Sequence, residues 1–302
     1  MADKIYYRAG LLLSCTFLFG AVACNKDTES DIYTSEPEKM PIQIAMDVRT
    51  RVTDFGYEQG DRIGLYVVNY KGETADSLQL DGNHVDNMCF TFQNNEWTPD
   101  EEIFWKDQTT PADVYAYYPA DSIADIKAHP FRVLTDQSSA ENYAASEFLW
   151  GKSGGVKPSA EAVPLMTYHS FCNLLVYLKP GKGFTEESLA AVRKDVRICN
   201  VRCEASVDLT TGEAIAKGGI DVVVPKNEGN YYRALIVPQT VADGTKLITI
   251  TVEGVEYSFN RGFTFQANHQ YMFTLTVNKI SSGISIGVGS WQNGGAFEGD
   301  AE

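Results

Sequence analysis

The sequence predicts an all-β chain of two tandem antiparallel β-sandwich domains with one short helix. Three observations carry this. Aromatic residues are abundant, with 16 Tyr and 15 Phe, and Val, Ile and Thr recur in short runs that suit a half-buried pleated surface better than a helix. Apolar and polar residues alternate over short stretches, and turn-forming clusters return about every ten residues. At 302 residues and 44% hydrophobic content, the chain has the length for two domains and the material to fill their cores.

The segment before the first strand reads as a delivery device. Lys4 and Arg8 precede an apolar run over residues 9–23, too short to span a bilayer and of the right length for a signal-peptide core. Residues 1–23 are therefore expected to be a signal peptide. Ala21 and Ala23 lead into Cys24, and small residues before a cysteine resemble the lipobox of bacterial lipoproteins, with Ala21 where Leu is usual. Cys24 is the expected lipidation site, and several acyl chains would anchor firmly at about 0.8 kcal/mol per buried methylene. Residues 24–40 are polar and charged, a flexible tether. Their acidic start resembles the surface-export signal of Bacteroidetes lipoproteins.

Residues 41–48 form the first strand, with Ile42, Ile44 and Met46 on one face. Arg49 and Arg51 follow it directly. A Gly-rich turn at 56–61 feeds a second strand at 62–68. Further strands are expected at 88–92, at 114–118 before Pro119, at 131–134 and at 148–150. Ser153 to Ala162 is small, polar and Pro-containing, which sets a boundary between an N-terminal sandwich at 41–158 and a C-terminal one at 159–302. The second half restarts with an apolar strand at 165–178. Thr185 is a suitable N-cap for a helix over 185–195, with Glu186 and Glu187 at its positive end. Strands follow at 196–201, 205–209, 222–224 and 234–237. The clearest pattern is the hairpin in which Ile248, Ile250 and Val252 alternate up to Glu253-Gly254 and Val255, Tyr257 and Phe259 alternate back. Tyr271, Phe273, Leu275 and Val277 repeat the period of two, as do Ile284, Ile286 and Val288.

No residue set announces catalysis, and no cofactor is expected. A net charge of −15 repels phosphate backbones, so nucleic acid is excluded as a partner. His169 and Cys172 are three apart on an expected strand and so face opposite sides. Asp100, Glu101 and Glu102 beside Trp97 and Trp105 have the residue types of a glycosidase, but adjacent carboxylates in one loop read as a solvated turn, and the tryptophans as core. Tyr115 and Tyr117 likewise read as core. Cys199 and Cys203, four apart on a strand, lie about 13 Å apart and do not bridge each other. Free thiols are expected at Cys89, Cys172, Cys199 and Cys203, with a bridge from Cys172 to Cys199 or Cys203 as the alternative. A lone Cys-x-x-x-Cys does not make a zinc site.

Several stretches together resemble the fimbrillin family, the subunits and accessory proteins of Bacteroidetes type V pili. They are Arg51-Val-Thr53 leading to Gly60-Asp61-Arg62-Ile63-Gly64-Leu65-Tyr66; Val114-Tyr-Ala-Tyr-Tyr-Pro119; Phe148-Leu-Trp-Gly151; Tyr168-His169-Ser170; Val207-Asp-Leu-Thr-Thr-Gly212; Ile236-Val-Pro-Gln239; Gly254; the strand between Asn268 and Asn278; and Trp291. The resemblance implies two transthyretin-like sandwiches and assembly by strand exchange at the cell outer membrane. A lipidated precursor is cut after an arginine by an Arg-specific protease, here at Arg49 or Arg51. The first strand, carrying Ile42, Ile44 and Met46, is then removed. A strand from another pilus subunit fills the groove, and Ile284, Ile286 and Val288 are the candidate donor. Anchor-type relatives keep the first strand. The alternative expectation is a non-polymerising surface lipoprotein that binds a glycan or host ligand.

Overall fold

A computed structural model of the chain describes residues 39–48, 56–280 and 283–288. The N-terminal half supplies β1 (Ile44–Val48), β2 (Arg62–Lys71), β3 (Thr74–Ala75), β4 (Val85–Gln93), β5 (Glu96–Pro99), β6 (Ala112–Tyr118), β7 (His129–Arg132), α1 (Ala140–Ala144), β8 (Leu149–Val156) and β9 (Val163–His169). All of these strands except β7 form one eight-stranded sheet, in the order β1-β9-β8-β6-β2-β4-β5 with β3 beside β2. Its pairings are antiparallel except for the outermost, where β1 runs parallel to β9.

The rest of the chain supplies β10 (Cys172–Pro180), α2 (Glu186–Ala191), β11 (Lys194–Val201), β12 (Glu204–Val207), β13 (Ala214–Lys217), β14 (Asp221–Val223), β15 (Lys226–Asn227), β16 (Tyr232–Ile236), β17 (Gln239–Val241), β18 (Ile248–Val252), β19 (Val255–Phe259), β20 (Phe263–Phe265), β21 (Gln270–Ile280) and β22 (Gly283–Val288). They make a five-stranded sheet β15-β16-β10-β21-β22, a four-stranded sheet β14-β11-β18-β19 and a pair β17-β20. A three-stranded sheet, β13-β12-β7, takes one strand from the N-terminal half. The all-β prediction holds. The 253–254 hairpin forms as read: Glu253 and Gly254 both have positive φ, at 49° and 82°, the geometry of a tight hairpin whose twist matches its strands.

Three local readings are corrected. Among the described residues there are two short helices, not one. The unpredicted α1 is capped by Ser139, whose side chain accepts from the Asn142 N–H, and it buries Tyr143. The predicted helix starts where expected, with Thr185 and Ser188 forming a reciprocal capping box, but it stops at Ala191. From Lys194 the chain joins the β11–β18 ladder instead. The stretch at 165–178 is two strands, not one. It breaks at Ser170-Phe171, where the Ser170 N–H bonds the Phe148 carbonyl at 2.9 Å. The boundary drawn at 158/159 therefore falls within the eight-stranded sheet, because β9 follows it and pairs with β8.

Two hydrophobic cores result. Ile63, Leu65 and Val67 of β2, with Val114 and Ala116 of β6, face a smaller core that includes Ile42, Ile44, Phe90, Trp97, Trp105 and Leu165. The other faces of the same two strands, Tyr66, Val68, Tyr115 and Tyr117, join a larger core that runs through Phe148 and Phe171 into Ile198, Ile250 and Leu275. Strands β2 and β6 thus form a wall buried on both sides, which is why their sequences read as almost unbroken apolar runs. At Gly64 a Cβ would sit 2.2 Å from the Tyr117 ring, so the ring's position depends on glycine there. The halves are also sewn together by hydrogen bonds. Buried Gln137 exchanges two bonds with the Leu235 backbone, at 2.8 and 2.9 Å. The Val133 and Leu209 N–H groups reach Cys203 and Ile126 carbonyls at 2.8 Å each.

Candidate functional site

The first strand and its seat are the feature the sequence singled out. The segment at 40–48 changes partner along its length. At its start, Met40 accepts from the Trp105 N–H at 2.9 Å and Ile42 donates to the Ile103 carbonyl at 2.8 Å, around an antiparallel bridge from Pro41 to Phe104. The Gln43 carbonyl then accepts from the Val163 N–H at 2.8 Å. From there the chain runs parallel to β9, pairing Ile44 with Val163, Met46 with Leu165 and Val48 with Thr167.

The period of two sets what is buried. Ile42 and Ile44 are 3% and 7% exposed in the smaller core. Met46 is half-buried, while Gln43, Ala45 and Asp47 face solvent. Burying the two isoleucines contributes about 3–6 kcal/mol gross at about 1.5–3 kcal/mol each, an upper figure because the unfolded chain is not fully extended.

Thr167, fully buried, marks the far end of the seat. Its Oγ1 donates to the Asp47 carbonyl at 3.1 Å and lies 2.9 Å from the Tyr57 hydroxyl. Tyr57 packs edge-on against Trp97 at 4.8 Å between ring centres, with Phe92 at 6.2 Å and Tyr118 at 6.1 Å. Burial raises the Tyr57 phenol well above its ordinary pKa. Nearby on β9, His169 Nδ1 lies 2.8 Å from a carboxylate oxygen of buried Glu147. Burial alone would lower the imidazole pKa, but the charge of Glu147 and the hydrogen bond to it outweigh burial and raise it.

Other sequence-predicted residues fall elsewhere. Cys24, Arg49 and Arg51 lie outside the described residues. The stretch with Ile284, Ile286 and Val288 is a strand, as its alternation suggested. It occupies the edge of the five-stranded sheet, antiparallel to β21, with Val288 opposite Leu275, Ile286 opposite Val277 and Ile284 opposite Lys279. The structure therefore does not bring the donor candidate together with the seat of β1.

The four thiols at Cys89, Cys172, Cys199 and Cys203 are free. Burial pushes the Cys172 thiol far up, and it donates to the Ile236 carbonyl at 3.2 Å. Asp100, Glu101 and Glu102 are solvent-exposed, whereas Trp97 and Trp105 are 9% and 5% exposed core residues. Among the described residues no group of three or more His, Cys, Asp and Glu is placed to hold a metal ion.

A family model described as "Fimbrillin-like" matches residues 50–291. A protein of Bacteroides uniformis, named as the candidate fimbrium subunit Fim1C, is 26% identical over 301 residues, covering 92% of this chain and 94% of that protein. Two crystal structures share the fold. A candidate cell adhesion protein of Bacteroides uniformis superposes with a TM-score of 0.62 at 20% identity, over 85% of this chain and all of that one. One from Bacteroides ovatus gives 0.66 at 16% identity, over 84% of this chain and 97% of that one.

Proposed function

The chain belongs to the fimbrillin-like family, and from that premise we propose that it is a subunit or adhesive accessory of a cell-surface pilus, exported as a lipoprotein on Cys24. In this reading an Arg-specific protease cuts at Arg49 or Arg51, the first strand leaves, and a strand of another pilus subunit takes its seat at the outer-membrane surface. One observation carries the reading. Among the described residues, strand β1 is an edge strand with a single ladder partner, and it closes the smaller of two cores. Its removal would open the smaller core, whose members include Ile63, Leu65, Trp97 and Leu165, as an apolar slot, while the larger core contains no residue of β1. Its parallel ladder on β9 is the weaker kind per residue, which favours replacement.

A different observation supports a second reading. The candidate donor, Gly283–Val288, is paired within its own chain. A subunit that keeps both strands would be a self-contained surface lipoprotein binding a glycan or host ligand.

N-terminal sequencing and intact mass of the surface-exposed protein separate the two. A start at Thr50 or Val52, with oligomers forming after Arg-specific digestion, supports the pilus subunit. A lipidated Cys24 on a chain that stays monomeric after digestion sinks it in favour of the second reading.

A further inference from the structure

The buried hydroxyl of Thr167 is placed where the first strand would begin to fray. Among the described residues, 44–48 have a ladder on one side only, and on their inward face burial falls from Ile44 to half-buried Met46. At that end Thr167 Oγ1 spends its one proton on the Asp47 carbonyl, at 3.1 Å. As an acceptor it then receives a hydrogen bond from the Tyr57 hydroxyl, 2.9 Å away. Asp47 and Tyr57 stand on either side of Arg49 and Arg51 in the sequence. One side chain thus holds the chain before and after that stretch. Tyr57 belongs to the exposed turn before β2, but its ring packs on Trp97, Phe92 and Tyr118, so the tie rests on side chains at the smaller core.

We infer that Thr167, with Tyr57, is a positioning pair that keeps β1 seated after the chain is cut between Val48 and Gly56, so that cutting and strand loss are separate steps. This rests on the reading that β1 is a removable strand. A cut subunit would keep its slot filled until an incoming strand displaced β1 from the Thr167 end. That would protect the apolar slot from water and from other edge strands in the interval.

The test uses a foreign site-specific protease sequence inserted between Arg51 and Val52, so the outcome does not depend on whether the arginines are cut naturally. After nicking, release of the N-terminal piece is followed by size exclusion and intact mass. The wild-type chain is expected to retain the piece. Thr167→Val should release it about tenfold faster and Tyr57→Phe about threefold faster, as for loss of buried hydrogen bonds. Thr167→Ser keeps the hydroxyl and should release it at the wild-type rate. Melting of the uncut variants checks that each folds; if Thr167→Val does not, Tyr57→Phe decides. Equal release from wild type and Thr167→Val, release from Thr167→Ser as fast as from Thr167→Val, or immediate loss of the wild-type piece on nicking would each overturn the inference.

Discussion

The two cores share a wall but are closed differently. The smaller one is finished by a segment from the start of the described chain. That segment bonds first to residues 103–105 and then to β9, and it puts Ile42 and Ile44 inside. The larger core draws on strands from both halves, including β10, β11, β16, β18 and β21, and on the Tyr66–Tyr117 face of the wall. The difference lies in dependence. One core loses a side when the single segment 39–48 goes, whereas the five strands named for the other each have two ladder partners. Local stability follows such differences in packing and pairing.

Deleting residues 39–48 is the strongest way to break this contrast. The loss is about 3–6 kcal/mol of isoleucine burial together with the β1–β9 ladder. Amide exchange should speed up in β9 and around Ile103, while β10, β11 and β18 keep their protection. Equal loss of protection in β18 would mean that the two cores unfold as one. Truncation in the larger core should behave oppositely. Ile198→Ala, at a fully buried site, is expected to cost about 2–5 kcal/mol in urea unfolding and to lower protection in both halves.

The smallest effect is a tilt with pH, carried by two histidines of opposite sign. His129 lies at the Tyr117 and Phe148 rings, 2% exposed, with neither ring nitrogen hydrogen-bonded and Asp121 at 3.8 Å. Burial lowers its pKa in the fold more than Asp121 raises it. Its contribution is therefore present above the unfolded value of about 6.5 and is lost as pH falls below it toward the folded pKa. His169 beside Glu147 has a raised pKa, so its contribution is present below about 6.5 and is lost as pH rises through the folded pKa. His129→Leu should flatten the acid side of a melting-temperature profile, and His169→Gln the side above neutrality. A profile unchanged by either substitution would remove both assignments.

Much of this was legible in the chain. The alternation of Ile42, Ile44 and Met46 located the first strand and its buried face, and Glu253-Gly254 located a hairpin, because both are written in a few adjacent residues. Trp97, Trp105, Tyr115 and Tyr117 read correctly as core. What escaped depends on distant partners. Nothing in 41–48 says that its neighbour is β9 or that the pairing is parallel. The break at Ser170-Phe171 carries no Gly or Pro, and its turn is held by the Phe148 carbonyl far back in the chain. The α2 helix ended early because Lys194 and Asp195 belong to a ladder with β18, which outweighs local helix preference. The seat was legible only in part. Thr167 and Tyr57 are 110 positions apart and neither stands in a motif.

The wall of β2 and β6 also bears on how such chains can diversify. A sequence whose two halves met at a linker could exchange one half with a relative by recombination and keep both folds. Here Tyr66 and Tyr117 fill one core from strands whose other faces fill the second, and Gln137 holds the Leu235 backbone across the join. A crossover at 158 would hand each parent's wall a foreign larger core. Inheritance is thus expected to treat residues 56–280 as one block.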